Sequence, residues 1–160
     1  MPRPRPRPRQ VAWRLFLQAH ALLTKRVDAA LLAADCISFD TYDVLITLAE
    51  APGQRLRMSE LAGATFFSNS GISRRVARLE KEGFLQRKGC ENDGRVFYAV
   101  LTEAGREALR EAWPVYERVI EEDFGKAMNP SETRDLAKIL GSLVDRLGGA
   151  SGGATEEPPV

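Results

Sequence analysis

Residues 58–102 read MSELAGATFFSNSGISRRVARLEKEGFLQRKGCENDGRVFYAVLT, two short helical patterns followed by two strand-like ones. MSELAGAT has the composition of a short helix with Leu61 and Ala62 turned inward, and Phe66, Phe67 and Ser68 form the turn that follows. Ser68 is a good N-cap for SNSGISRRVARLEKEG, a helix whose buried stripe is Ile72, Val76 and Leu79 and whose left-handed stop is Gly83. Two short helices joined by a tight turn make a helix-turn-helix. Off the stripe stand Asn69, Ser70, Ser73, Arg74, Arg75 and Arg78. Small polar side chains at the front of such a helix reach base edges, and arginine forks onto guanine or grips phosphate. A merely solvated face usually mixes acids among its cations, yet the first acidic residue here is Glu80.

FLQRKGC and RVFYAVL alternate enough to be strands, with Glu91, Asn92, Asp93 and Gly94 as the turn between them. A hairpin directly after a recognition helix is a wing, on which Arg87, Lys88 and Arg95 place positive charge. A tip arginine suits the negative potential of a minor groove. The rival reading is a capping hairpin with incidental charge.

Outward from this stretch, Val11, Leu15, Leu22, Leu23, Val27 and Leu31 recur at helical spacing over Gln10 to about Ala34. A second helix starts at Asp40 as N-cap, carries Val44, Leu45 and Leu48, and stops at Pro52-Gly53. Thr102 caps a third, running through Leu109, Trp113, Tyr116, Val119, Ile120 and Phe124 with a kink at Pro114. Asn129-Pro130-Ser131-Glu132 announces a fourth, presenting Leu136, Ile139, Leu140, Leu143, Val144 and Leu147. The first, third and fourth are too apolar for a lone small domain, and their simplest use is packing against a second copy. The alternating Pro/Arg run of residues 2–9 favours an extended arm, either disordered or touching DNA, and 148–160 reads as a flexible tail.

Length and composition fit one soluble domain: 160 residues, 44% hydrophobic and 28% charged. The net charge of +1 is unevenly spread. Residues 53–100 hold nine Lys/Arg against five Asp/Glu and residues 1–35 seven against two, whereas residues 101–147 hold seven against ten. A polyanion therefore meets the first part of the chain. Arg14, Gln18 and His20 interrupt the apolar stretch 11–23, no export site follows, and no run approaches the ~20 apolar residues of a membrane span, so a cytoplasmic protein is expected. Two cysteines, Cys36 and Cys90, are too few for a disulfide framework and lack metal-ligand spacing. With a single histidine, no phosphate-cradling glycine loop and no ligand cluster, an enzyme is excluded and neither cofactor nor metal is expected.

The strings RLRMSELA, SGISRRVARLEKEGFLQR and NDGRVFYAVLTEAGREAL resemble the multiple-antibiotic-resistance regulator (MarR) family. The likeness covers Phe39 to Leu109, and the helix pattern agrees over 11–147. The resemblance implies a mainly α fold with a small β-hairpin wing (α+β), a winged helix-turn-helix with long terminal dimerisation helices. Its body is 10–147, with 54–101 as the DNA-binding lobe and 10–34 and 102–147 as dimerisation helices. It further implies a homodimer on a pseudo-palindromic operator of double-stranded DNA, commonly a repressor, released by a small phenolic or carboxylate effector or by an oxidant. Many members carry a wing tip of the form Asp-Asp-Arg-Arg where this chain has Asn92-Asp93-Gly94-Arg95. Asp93 is then the carboxylate that orients an arginine, and Arg95 the groove contact.

The family's effector cleft lies between the dimer helices and the DNA-reading lobe. Trp13, Arg14, Phe16, His20, Tyr42 and Phe67 are its candidates here, and ordinary core packing is the competing role of each. For redox sensing, Cys36 lies beside Asp35, which opposes thiolate formation, and Cys90 lies near Lys88 in the wing. A winged-helix module that binds protein rather than DNA is the remaining alternative.

Overall fold

Proline's fixed φ and missing donor suit a helix start, and helix α1 opens at Pro8 and runs to Ala33. The computed structural model describes residues 7–65, 69–90 and 93–148; the side chains of residues 69, 70, 90 and 93–95 lie outside the described set, as do the Pro/Arg run up to residue 6 and the tail beyond 148. Asp35 takes a left-handed φ of 55°, and the amides of Asp35 and Cys36 close back onto the carbonyls of Leu32 and Leu31. That pattern ends α1 although no glycine is present. Only Val27 and Leu31 of α1 are fully buried; Val11, Leu15 and Leu22 of the predicted stripe are exposed.

Helix α2 spans Phe39–Glu50, and its N-cap is Ser38, whose Oγ accepts from the Thr41 amide at 3.3 Å. The sequence favours Asp40 as that cap, but Asp40 sits inside the first turn, where its charge suits the helix dipole. The Asp28 carboxylate accepts from the Phe39 amide at 2.9 Å and ties α1 to α2. A 3-10 turn over Pro52–Gln54, with Gly53 and Gln54 at positive φ, ends the helix.

Strand β1 (Arg55–Arg57) leads directly into helix α3 (Met58–Ala64). Helix α4 (Asn69–Lys81) follows, then strands β2 (Leu85–Cys90) and β3 (Asp93–Leu101). The Ser68 cap and the Phe66-Phe67 turn lie outside the described residues. The sheet is antiparallel in the order β1-β3-β2. The sequence places a turn over Glu91–Gly94, but β3 already begins at Asp93, paired with Cys90, after a register shift between Gly89 and Cys90. Gly83, at φ 84°, stops α4 as expected; its amide bonds to the Glu80 carbonyl and that of Phe84 to Leu79.

Helix α5 (Glu103–Val119) starts at Thr102, whose Oγ1 accepts from the Gly105 amide at 3.1 Å and donates toward the Gly83 and Phe84 carbonyls. Pro114 is carried inside α5 without ending it; the departure from α geometry is a π turn at Ile120–Phe124. Residues up to Glu121 form one compact unit, with Leu31, Leu45, Leu48, Leu61, Ile72, Leu79 and Leu85 at its centre. Each such side chain contributes roughly 1.5–3 kcal/mol by leaving water. The second unit begins at Glu122 and holds helix α6 (Pro130–Gly148). Asn129 Oδ1 accepts from the amides of Ser131 and Glu132, and Glu132 reaches back to the Asn129 amide, the predicted cap. Ile139, Val144 and Leu147 are exposed on α6.

Candidate nucleic-acid interface

Burial of Ile72, Val76 and Leu79 fixes the orientation of α4, as their spacing predicts. Ser73, Arg74 and Arg78 are exposed on the remaining surface. Asn69 and Ser70 lie in the first turn of α4, with side chains outside the description. The three arginines are not equivalent. Arg75 reaches back to α2, with Nη1 2.6 Å from Asp40 Oδ2 and its side chain only 27% exposed. Arg78 donates to Thr41 Oγ1 at 3.2 Å and lies 3.6 Å from a Glu82 oxygen. The sequence treats Arg75 as one of an outward set, whereas the structure makes it a brace between α2 and α4. Local spacing on α4 cannot reveal a partner on another helix.

Asp43 adds to that brace's electrostatics. Burial and the neighbouring Asp40 push its carboxyl above the usual carboxylate range, and Arg75 acts in the opposite direction. The ion pair between α2 and α4 is therefore set beside a second acid that resists ionisation.

In the wing, Arg87 turns back to α4. Its Nε donates to Glu80 Oε2 at 2.7 Å and its backbone amide to Oε1 at 3.0 Å. These bonds hold the Glu80 carboxyl below its usual range. Glu80, the first acid on the recognition helix, is thus the strut that fixes the hairpin to it. Lys88 is exposed, and Asp93, Gly94 and Arg95 lie in β3 with side chains outside the description. The sequence does not single out Arg55 and Arg57. Both lie on β1, with guanidinium carbons 5.3 and 5.8 Å from the centroid of the Tyr98 ring, and Arg57 Nε donates to the Tyr98 hydroxyl at 3.2 Å. Two cations flanking one leucine were the available signal.

The described effector candidates fall in two separate places. Trp13, Arg14, Phe16 and His20 are exposed on the first half of α1, with Trp13 and Phe16 stacked at 6.0 Å. Tyr42 is buried instead in an aromatic core, 4.5 Å from the Tyr116 ring, and Phe67 lies outside the described residues. Burial, with Tyr116 and Glu50 nearby, pushes the Tyr42 hydroxyl above the usual tyrosine range. An open cleft of about 440 Å³ does lie between α1, α2 and α4, but its lining is Thr24, Lys25, Asp28, Ser38, Phe39, Asp40 and Arg78. Cys36 is half-buried, its Sγ 3.6 Å from the Ala34 carbonyl and 3.7 Å from that of Glu111; the Cys90 side chain lies outside the description. Among the described residues no helix is long and apolar enough to cross a membrane, and no group of three potential metal ligands occurs.

The family model of the MarR family matches residues 37–96, which include α2, the helix-turn-helix and the start of the wing. The transcriptional repressor MprA of Escherichia coli K12 is 32% identical over 117 residues, 73% of this chain and 66% of that protein. The chain thus spans just under two thirds of that relative's length. The crystal structure of Sco3205, a MarR family transcriptional regulator from Streptomyces coelicolor in complex with DNA, superposes with a TM-score of 0.80 at 32% identity, covering 95% of both chains. That of AbsC, another MarR family regulator of the same organism, gives 0.79 at 33% identity, covering 92% of this chain and 99% of its own. With the winged helix-turn-helix in place and these relatives matched over nearly its whole length, the chain belongs to the MarR family, whose members are transcriptional regulators and not enzymes.

Proposed function

We propose that this chain is a cytoplasmic DNA-binding repressor that acts as a homodimer on a pseudo-palindromic operator and is released by a small-molecule effector. The observation that carries the reading is α4. Its apolar stripe is fully buried, its opposite face presents Ser73, Arg74 and Arg78, and a hairpin is strutted beside it through Glu80 and Arg87. In this account Ser68, Asn69, Ser70, Ser73 and Arg74 meet base edges or phosphates, and Arg87, Lys88 and Arg95 carry the wing's charge, with Asp93 orienting an arginine. Arg75 and Arg78 act from the α2 side of the helix. Sco3205 was crystallised with DNA and MprA is named a repressor, which supports carrying both properties over.

The sequence sets the body at 10–147; helix α1 already opens at Pro8, since proline suits a first helical turn, and α6 reaches Gly148, so the described body is longer at both ends. The dimer reading is supported by α1, on which Val11, Trp13, Leu15, Phe16, Leu17 and Leu22 are all exposed, an apolar load that monomeric surfaces rarely carry. The cleft supports effector control, because it joins α1 to Arg78 of α4; a small acid held by Lys25 would bear on both.

Fluorescence anisotropy with DNA fragments retained by the wild-type protein tests the reading. Arg74→Ala is expected to weaken binding by ~1–3 kcal/mol while leaving the circular dichroism spectrum unchanged. Binding that does not change in this variant contradicts the recognition-helix assignment, and a wild-type protein that retains no DNA favours the protein-binding alternative.

A further inference from the structure

The outer face of the three-stranded sheet carries a cationic surface of which the reading above uses only Lys88. Residues directly opposite one another in a sheet point to the same face. Arg57, Tyr98 and Lys88 form one such row across β1, β3 and β2, and Arg55, Val100 and Gln86 form the next row on that face. The row between them, Leu56, Ala99 and Arg87, points the other way: Ala99 is fully buried, Leu56 packs on the core and Arg87 turns to Glu80. The two outward rows therefore hold three cations and no acid. The nearby Glu60 carboxylate accepts from the Arg57 backbone amide at 2.8 Å.

We propose that Arg55, Arg57 and Lys88, organised around Tyr98, form a second phosphate-binding surface that grips the DNA backbone beside the recognition helix. The inference rests on the DNA-binding reading above. Stacking on the Tyr98 ring restrains two flexible guanidiniums before any ligand arrives, which lowers the entropic cost of contact. Because the Tyr98 hydroxyl accepts from Arg57, its own proton is available to a phosphate oxygen. Position selects DNA as the occupant. β1 runs directly into α3, the helix-turn-helix element that crosses the sugar-phosphate backbone, and three cations with no acid on one face suit a polyanion.

The test is a salt titration of the full chain binding a mixed-sequence duplex of about 40 base pairs, roughly four helical turns. Each lost phosphate contact flattens the log-log salt slope by about 0.9, so Arg55→Gln with Arg57→Gln is expected to reduce it by about 1.8. Mixed-sequence and selected duplexes should be weakened alike. Lys88→Gln alone, on a different strand, should reduce the slope by about 0.9 and serves if the double variant fails to fold. Folded variants that keep the wild-type slope overturn this surface alone. Wild-type protein that binds no duplex at any salt concentration removes the DNA reading and this surface with it.

Discussion

Gly105 lies in the first turn of α5, pressed against the end of α4's connection to the sheet. A Cβ at this position would overlap the Phe84 carbonyl and come within 2.7 Å of Leu101 Cδ1, and the obstructing atom is backbone. Gly105→Ala is therefore expected to destabilise the protein by ~1–3 kcal/mol, read as a lower urea midpoint with little change in slope. The glycine stands in the string LTEAGREAL, but its reason is a contact with residue 84. The same limit applies to Arg75. Ile72, Val76, Leu79 and the stop at Gly83 were legible because their signals are periodicity and φ, both local. Arg75 was not, because its partner Asp40 lies on another helix. By sequence Tyr42, an aromatic near charged residues, fits a pocket as well as a core; the structure buries it against the Tyr116 ring.

Among the elements, the four long helices and the hairpin were readable from hydrophobic spacing and capping residues, and Thr102 and Asn129 cap as their side chains predict. β1 was not, since three residues with one apolar position carry no pattern; it exists because β3 offers it a free edge. The strut between α4 and the wing has a consequence for pH. Arg87 holds the Glu80 carboxyl below its unfolded range, so the strut's stabilisation is present above that range and is lost as pH falls through the lowered folded value. Hydrogen exchange at the Arg87 amide should accelerate, relative to core amides corrected for intrinsic rates, as pH drops below about 4.5, the ordinary glutamate value. Glu80→Gln should show the faster exchange already at neutral pH. Equal protection in both proteins across that range would show that the strut does not hold the hairpin.

For the whole molecule, the unsettled surface is the exposed first half of α1. Trp13 and Leu15 are each 58% exposed, a placement that makes sense if a second copy covers them. Sedimentation at micromolar concentration is expected to give a dimer. Leu15→Asp, which sets an unpaired charge in that contact, should weaken association by about 2 kcal/mol or more, roughly thirtyfold. A single recognition helix reads only a few base pairs, so in the proposed dimer two such helices would meet DNA together. Selecting bound fragments from DNA of the source organism and footprinting the protein on them tests this claim most directly. Two inverted half-sites centred about one helical turn apart, roughly 34 Å, each protected in the major groove, are expected. Recovery of a single unpaired half-site, or of no sequence at all, would contradict it.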